Sequence, residues 1–139
     1  MMILDTNIIS EMSGPRPFPA VLVWATTIPF DEMYLCAPVI AEMSFGAERQ
    51  AIRTGSPRHL DNLEYLVIKR FAGRILPLNA TSARIAGRFR AIRERAGRPV
   101  TAMDMAIASI AAANSATLAT RNVRDFEGLD LRLVNPFEA

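Results

Sequence analysis

Asp5, Glu42 and Asp104 are three carboxylates set far apart in the chain, each beside an apolar stretch. Asp5 ends the run Met1-Met2-Ile3-Leu4 and is followed by Thr6-Asn7. Glu42 stands on an apolar helical stretch between Val39 and Met43, and Asp104 opens the long apolar run Met105 to Ala113. Charges are rarely buried without a partner or a metal. Three acids that converge without evident basic partners read as a site for a hard divalent cation.

Residues that the chain lacks narrow the chemistry. It has one histidine, His59, on the polar side of an expected helix, so a two-histidine acid–base mechanism is excluded. There is no G-x-S-x-G elbow, glycine-rich phosphate loop or dinucleotide fingerprint. Cysteine and histidine are too few for structural zinc. Carboxylates alone favour Mg²⁺, with Mn²⁺ as a substitute. Two unit charges ~4 Å apart repel by about 4 kcal/mol at an effective dielectric of 20, and a cation relieves that repulsion. Such ions activate water and stabilise charge on a phosphodiester, so hydrolysis of that bond is the natural reaction.

Each acid also has a plainer reading. Asp5 can cap the helix after it. Glu42 can be a partly exposed helix residue, although Val39 and Gly46 share its face and turn it inward. Thr101-Ala-Met-Asp104 has the spacing of a capping box. These plainer readings weaken together, because all three residues would fall on one edge of one sheet.

Of sixteen basic residues, fifteen are arginine and one is Lys69. Six arginines, at 84, 88, 90, 93, 95 and 98, fall within fifteen positions, with Glu94 the only acid among them. Arginine suits bidentate contact with phosphate, and Arg90, Arg93, Arg98 and Arg121 are the candidates for gripping a nucleic-acid backbone. Taken alone, the run reads as a solvated helix face. Aromatic residues make up 7% of the chain and give no sign of a stacking platform for single strands.

Short apolar runs alternate with helical stretches, which predicts a parallel sheet covered by helices. Strands are expected at Met1–Leu4, Met33–Cys36, Ile75–Leu78, Ala116–Thr120 and Leu131–Val134, with Pro77 marking an edge or a strand end. Helices are expected at 7–12, from Pro19 through Trp24, from Pro38 to about Gln50, and from Ser56-Pro57 with Leu60, Leu63, Leu66 and Val67 inward. Asn79 caps the next, with Ile85, Phe89, Ile92 and Ala96 inward, and Gly97 stops it. Thr101 begins a helix apolar almost all round, the expected central one. In open α/β sheets ligands bind beyond the carboxyl ends of the strands, where Asp5, Glu42, Asp104 and Thr120-Arg121-Asn122 would meet.

The 139 residues suit a single domain, and half of them are apolar. The longest apolar runs are about half the ~20 residues of a bilayer span. Only four apolar residues precede Asp5, so no secretory signal is expected. The lone Cys36 forbids an internal disulfide and fits a reducing cytoplasm.

The ordered set Ile3-Leu4-Asp5-Thr6-Asn7, Ile40-Ala41-Glu42-Met43 with Gly46, Asp104-Met-Ala-Ile-Ala, Leu118-Ala-Thr-Arg-Asn122 and Asp125-Phe126 resembles a PIN-domain ribonuclease. In particular it resembles the toxin of a VapBC-type toxin–antitoxin pair. The resemblance implies a three-layer α/β/α sandwich with a mostly parallel sheet over residues 1–139, and Mg²⁺-dependent endonucleolytic cleavage of RNA. It places Asp5, Glu42 and Asp104 on the metal, Thr6 and Thr120 orienting ligands or water, and Asn7 bracing the loop after the first strand. The family's fourth acid falls at Asn122, which offers an oxygen without charge. A second firmly held metal is therefore in question; Asp125, three residues on, is expected in the structural Asp-Phe turn, with partial compensation for the missing acid as the alternative. Similar toxins are homodimers or larger assemblies silenced by an antitoxin, which alone meets promoter DNA. The helices around Trp24 and Leu60 to Val67 are the expected partner contacts.

Two other classes compete. An aspartyl-phosphate phosphatase wants a second acid two residues after Asp5, where the chain has Asn7; a receiver wants a lysine near the site, and Lys69 lies on an unrelated helix. A non-catalytic module that binds RNA or a partner draws its support from Asn122.

Overall fold

The computed structural model of the protein describes residues 1–139. Five short strands form one sheet: β1 (Met2–Leu4), β2 (Met33–Cys36), β3 (Ile75–Leu76), β4 (Thr117–Ala119) and β5 (Arg132–Val134). Their order is β3-β2-β1-β4-β5 and every pairing is parallel. Met2 pairs with Thr117 and Leu4 with Ala119, so the ends of β1 and β4 are level. Successive residues Ile3-Leu4, Leu35-Cys36 and Leu118-Ala119 are all buried, so both faces of the sheet are covered. The result is the expected α/β/α sandwich.

Six helices provide the cover: α1 (Thr6–Ser13), α2 (Pro19–Thr26), α3 (Ala37–Thr54), α4 (Arg58–Tyr65), α5 (Ala80–Arg95) and α6 (Ala102–Ala113). Proline sits in the first turn of α2 and of α3, where its missing N–H costs nothing. Asn79 and Ser82 close a reciprocal cap on α5. In α6 every residue from Met105 to Ala111 is buried, as an all-apolar helix requires. No helix is long and apolar enough to cross a membrane.

Several expectations need correction. Helix α3 passes Gln50 and runs to Thr54, because nothing interrupts it before Gly55, whose φ of 73° ends it. Strand β3 is only two residues long and lies at the sheet edge, since Pro77 has no N–H to extend the ladder. On α5 the buried stripe is Ser82, Phe89 and Arg93, while Ile92 is 39% exposed and Ala96 is exposed. The helix is rotated by about one position from the apolar pattern. Arg93 enters because its Nε donates to the Arg98 carbonyl at 3.1 Å and its Nη1 to the Glu127 carbonyl at 2.8 Å. Trp24 belongs to the core, and the exposed apolar surface of its helix comes from Leu22 and Val23.

Candidate active site

The chain lays β1, β2 and β3 outward on one side, then returns to place β4 on the other side of β1. The crevice beyond the carboxyl ends of β1 and β4 is therefore the topological switch point, where open parallel sheets take their ligands. Asp5 leaves β1 there and Thr120 leaves β4. The Asp5 N–H donates to the Ala119 carbonyl at 2.9 Å, which locks the two exits together.

Asp5 is 5% exposed. Its Oδ1 accepts the Thr6 N–H at 2.8 Å, so it does cap α1. Its Oδ2 accepts the Thr120 hydroxyl at 2.7 Å and the Asn7 side-chain amide at 3.4 Å. The Thr6 hydroxyl donates to Glu42 Oε1 at 2.8 Å, which ties α1 to the second turn of α3. The loop after β4 is pinned too: the Arg121 N–H donates to Asn7 Oδ1 at 3.1 Å, and the Asn122 N–H to the Thr120 hydroxyl at 3.1 Å. Asp5, Thr6, Asn7, Glu42, Thr120 and the backbone of 121–122 thus form one hydrogen-bonded group.

Asp104 joins this group through charge rather than by a hydrogen bond. It lies in the first turn of α6, where its N–H donates to the Thr101 hydroxyl at 3.1 Å. Burial pushes its carboxyl above the ordinary 3.8; the Thr101 hydroxyl opposes this, and the charges of Asp5 and Asp125 add to it. Asp5 is also raised, first by burial and further by Glu42, against the pull of the Thr120, Thr6 and Asn7 hydrogen bonds. Burial dominates for Cys36 as well, whose thiol is pushed up to about 12, so it is no nucleophile here.

The acids face no balancing cation. The one ion pair of the molecule joins Arg98 to Glu127 at 3.2 Å. This fits a divalent cation between carboxylates, because mutual repulsion and burial both ease when one binds. No three of these side chains close into a cage.

The arginine candidates divide. Arg93 is 4% exposed and bound to two carbonyls, so it cannot reach a phosphate and is corrected to a structural role. Arg98 is held by Glu127, whereas Arg90 and Arg121 are exposed. Asn122 is exposed, with its backbone rather than its side chain bonded into the group. Of the two parts expected of Asp125, the turn is present in the structure, and its charge is also among the lesser causes that raise Asp104. Its spacing, three residues past Asn122 in a tight 3₁₀ turn, was the available signal.

A parallel sandwich with acids gathered at its switch point defines the class of small α/β proteins that work through carboxylates. The sequence pattern described as the PIN domain matches residues 2–130, and the chain belongs to that family. It is similar to Toxin FitB of Neisseria gonorrhoeae, 33% identical over 139 residues that cover 99% of both chains. It is also similar to VapC ribonuclease Y4jK of Sinorhizobium fredii, 34% identical over 140 residues covering 99% of each. The crystal structure of FitAcB from Neisseria gonorrhoeae superposes with a TM-score of 0.87 at 32% identity, covering 100% of both chains.

Proposed function

We propose that this protein is a metal-dependent endoribonuclease that acts as the toxin of a type II toxin–antitoxin pair. The observation that carries the reading is the group of acids at the switch point with no cation opposite them. Family membership supports it, as do the relatives named toxin and ribonuclease.

Asp5, Glu42 and Asp104 would hold Mg²⁺ or Mn²⁺. When bound, that ion supplies Lewis acidity toward a phosphodiester and makes a nucleophile available from water at neutral pH. The remaining work belongs to the chain. Thr120 and Thr6 fix the rotamers of Asp5 and Glu42 by donating to them, so the carboxylates meet their ligand already oriented. Asn7 holds the 121 backbone against the loop after β1. Exposed Arg90 and Arg121 offer positive charge to the RNA backbone. An antitoxin would silence the site by covering this crevice, and DNA would be met only by that partner. Leu22, Val23, Tyr65 and Ile68, all exposed, supply apolar surface for a homodimer or for the antitoxin.

The test is cleavage of RNA by the purified protein in Mg²⁺, in Mn²⁺ and in chelator, beside Asp5→Asn and Asp104→Asn. Metal-dependent cutting that both substitutions abolish is the expected result. RNA binding that ignores chelator, with no cleavage at any metal concentration, would instead establish a non-catalytic binding module.

A further inference from the structure

Three remote segments meet beside the acids in a way their spacing does not announce. Arg121 directly follows Thr120, the residue that donates to Asp5. Its guanidinium carbon lies over the Phe137 ring, 4.4 Å from the centroid. Phe137 in turn packs against Phe18, with centroids 5.3 Å apart and planes tilted by 39°. The arrangement is fixed from behind. The Arg121 N–H donates to Asn7, the Asn135 side-chain amide donates to the Arg121 carbonyl at 3.4 Å, and the Phe137 N–H donates to Asn135 Oδ1 at 3.0 Å. Phe18 is positioned by its N–H, which donates to Glu11 Oε1 at 2.8 Å.

We propose that Arg121, Phe137 and Phe18 form a shelf on which an unpaired nucleobase of the RNA stacks, next to the phosphodiester held at the carboxylates. The proposal rests on the nuclease reading of the neighbouring site. Arg121 is exposed, and no carboxylate pairs with it, because the sole ion pair lies elsewhere. The guanidinium carbon sits over Phe137 while the side chain as a whole stays exposed to solvent. A planar cation of this kind takes a base on its face and a phosphate at its edge. Phe18, 46% exposed, continues the shelf with an apolar face for the adjoining base or ribose. A buried brace would serve stability alone without leaving Phe18 and Arg121 in solvent at the rim of an acidic crevice.

The experiment uses the full chain carrying Asp104→Asn, with Mg²⁺ and a single-stranded RNA containing one 2-aminopurine. Stacking should change the fluorescence of that base on binding. Arg121→Ala should abolish the change and weaken binding about tenfold. Arg121→Lys should recover affinity but not the fluorescence change, since it restores charge without a planar face. Phe18→Leu should weaken binding less than Arg121→Ala. Unaltered thermal melts would show that each variant is folded. Parental affinity and fluorescence in Arg121→Ala and Phe18→Leu would overturn the shelf. So would RNA binding unchanged in variants that lose affinity for the cognate antitoxin, which would make the surface a protein-docking patch. If the unsubstituted protein leaves this RNA intact and unbound in Mg²⁺, the nuclease reading falls and takes the shelf with it. Cleavage by the unsubstituted protein with indifferent shelf variants removes the shelf alone.

Discussion

Asp5 and Asp104 share one crevice and one direction of pKa shift, yet they are held in opposite ways. Asp5 accepts three hydrogen bonds, from Thr6, Thr120 and Asn7, and scarcely sees solvent. Asp104 is raised first by burial and then by the charges of Asp5 and Asp125, and it is eased only by Thr101. Asp5 is preorganised by several neutral donors, whereas Asp104 is half-buried with a single such donor. Fixed donors orient a carboxylate at little reorganisation cost, whereas unbalanced charge creates demand for a cation. The difference teaches that burial raises both carboxyls, while the number of fixed donors separates them.

The comparison can be broken most severely by removing either charge. Asp5→Asn and Asp104→Asn should each cut RNA cleavage by roughly a thousandfold, about 4 kcal/mol of metal-dependent stabilisation. Gel-resolved cleavage rates measure this, and a variant with near-native rates would dissolve the distinction. Next in size is Thr120→Val, which takes away orientation but leaves every charge. It should weaken Mn²⁺ binding by about tenfold in a titration and lower cleavage to match. A loss equal to that of Asp5→Asn would mean that donors and charges are not separable.

Arg93→Ala sharpens the contrast from outside the crevice. It orphans two carbonyls and should destabilise the fold by about 2 kcal/mol in urea melts. RNA affinity in the folded fraction should hold, because Arg93 does not reach solvent. A selective loss of RNA binding would restore its candidacy as a phosphate contact.

The smallest effect is on the metal-free fold. Asp5 is raised above 3.8 in the native state, so its ionisation disfavours folding. The stability it permits is full below 3.8 and is lost as pH rises through the raised value. Asp5→Asn should therefore melt higher than the parent at neutral pH in chelator, by about 5 °C for each ~1.4 kcal/mol relieved. The gain should fade as pH falls toward 3.8. A gain that persists unchanged into acid would assign the effect to packing.

Most of the architecture was legible in the chain because its signals are local. β2 appears at Met33–Cys36 as expected, and Asn79 and Gly97 bound the fifth helix. The acids were legible because their residue types are scarce next to apolar runs. Arg93 was misread because a guanidinium is buried only where carbonyls happen to wait, and those belong to Arg98 and to Glu127, 34 positions away. The Arg121–Phe137–Phe18 cluster was missed for the same reason. Phe18 lies over a hundred residues from Arg121 and Phe137, and a scarcity of aromatics says nothing about where the few of them gather.

The pairing of β1 with β4 has a temporal consequence. The innermost strand is made first, but one of its two neighbours begins at Thr117 and the hydroxyl that steadies Asp5 comes from Thr120. Closing a loop of that span is slow, and no partial product of translation can complete the crevice. The crevice is therefore finished only after Thr120 joins the chain, long after Asp5 has been made, so the first acid waits on a hydroxyl that arrives more than a hundred residues later.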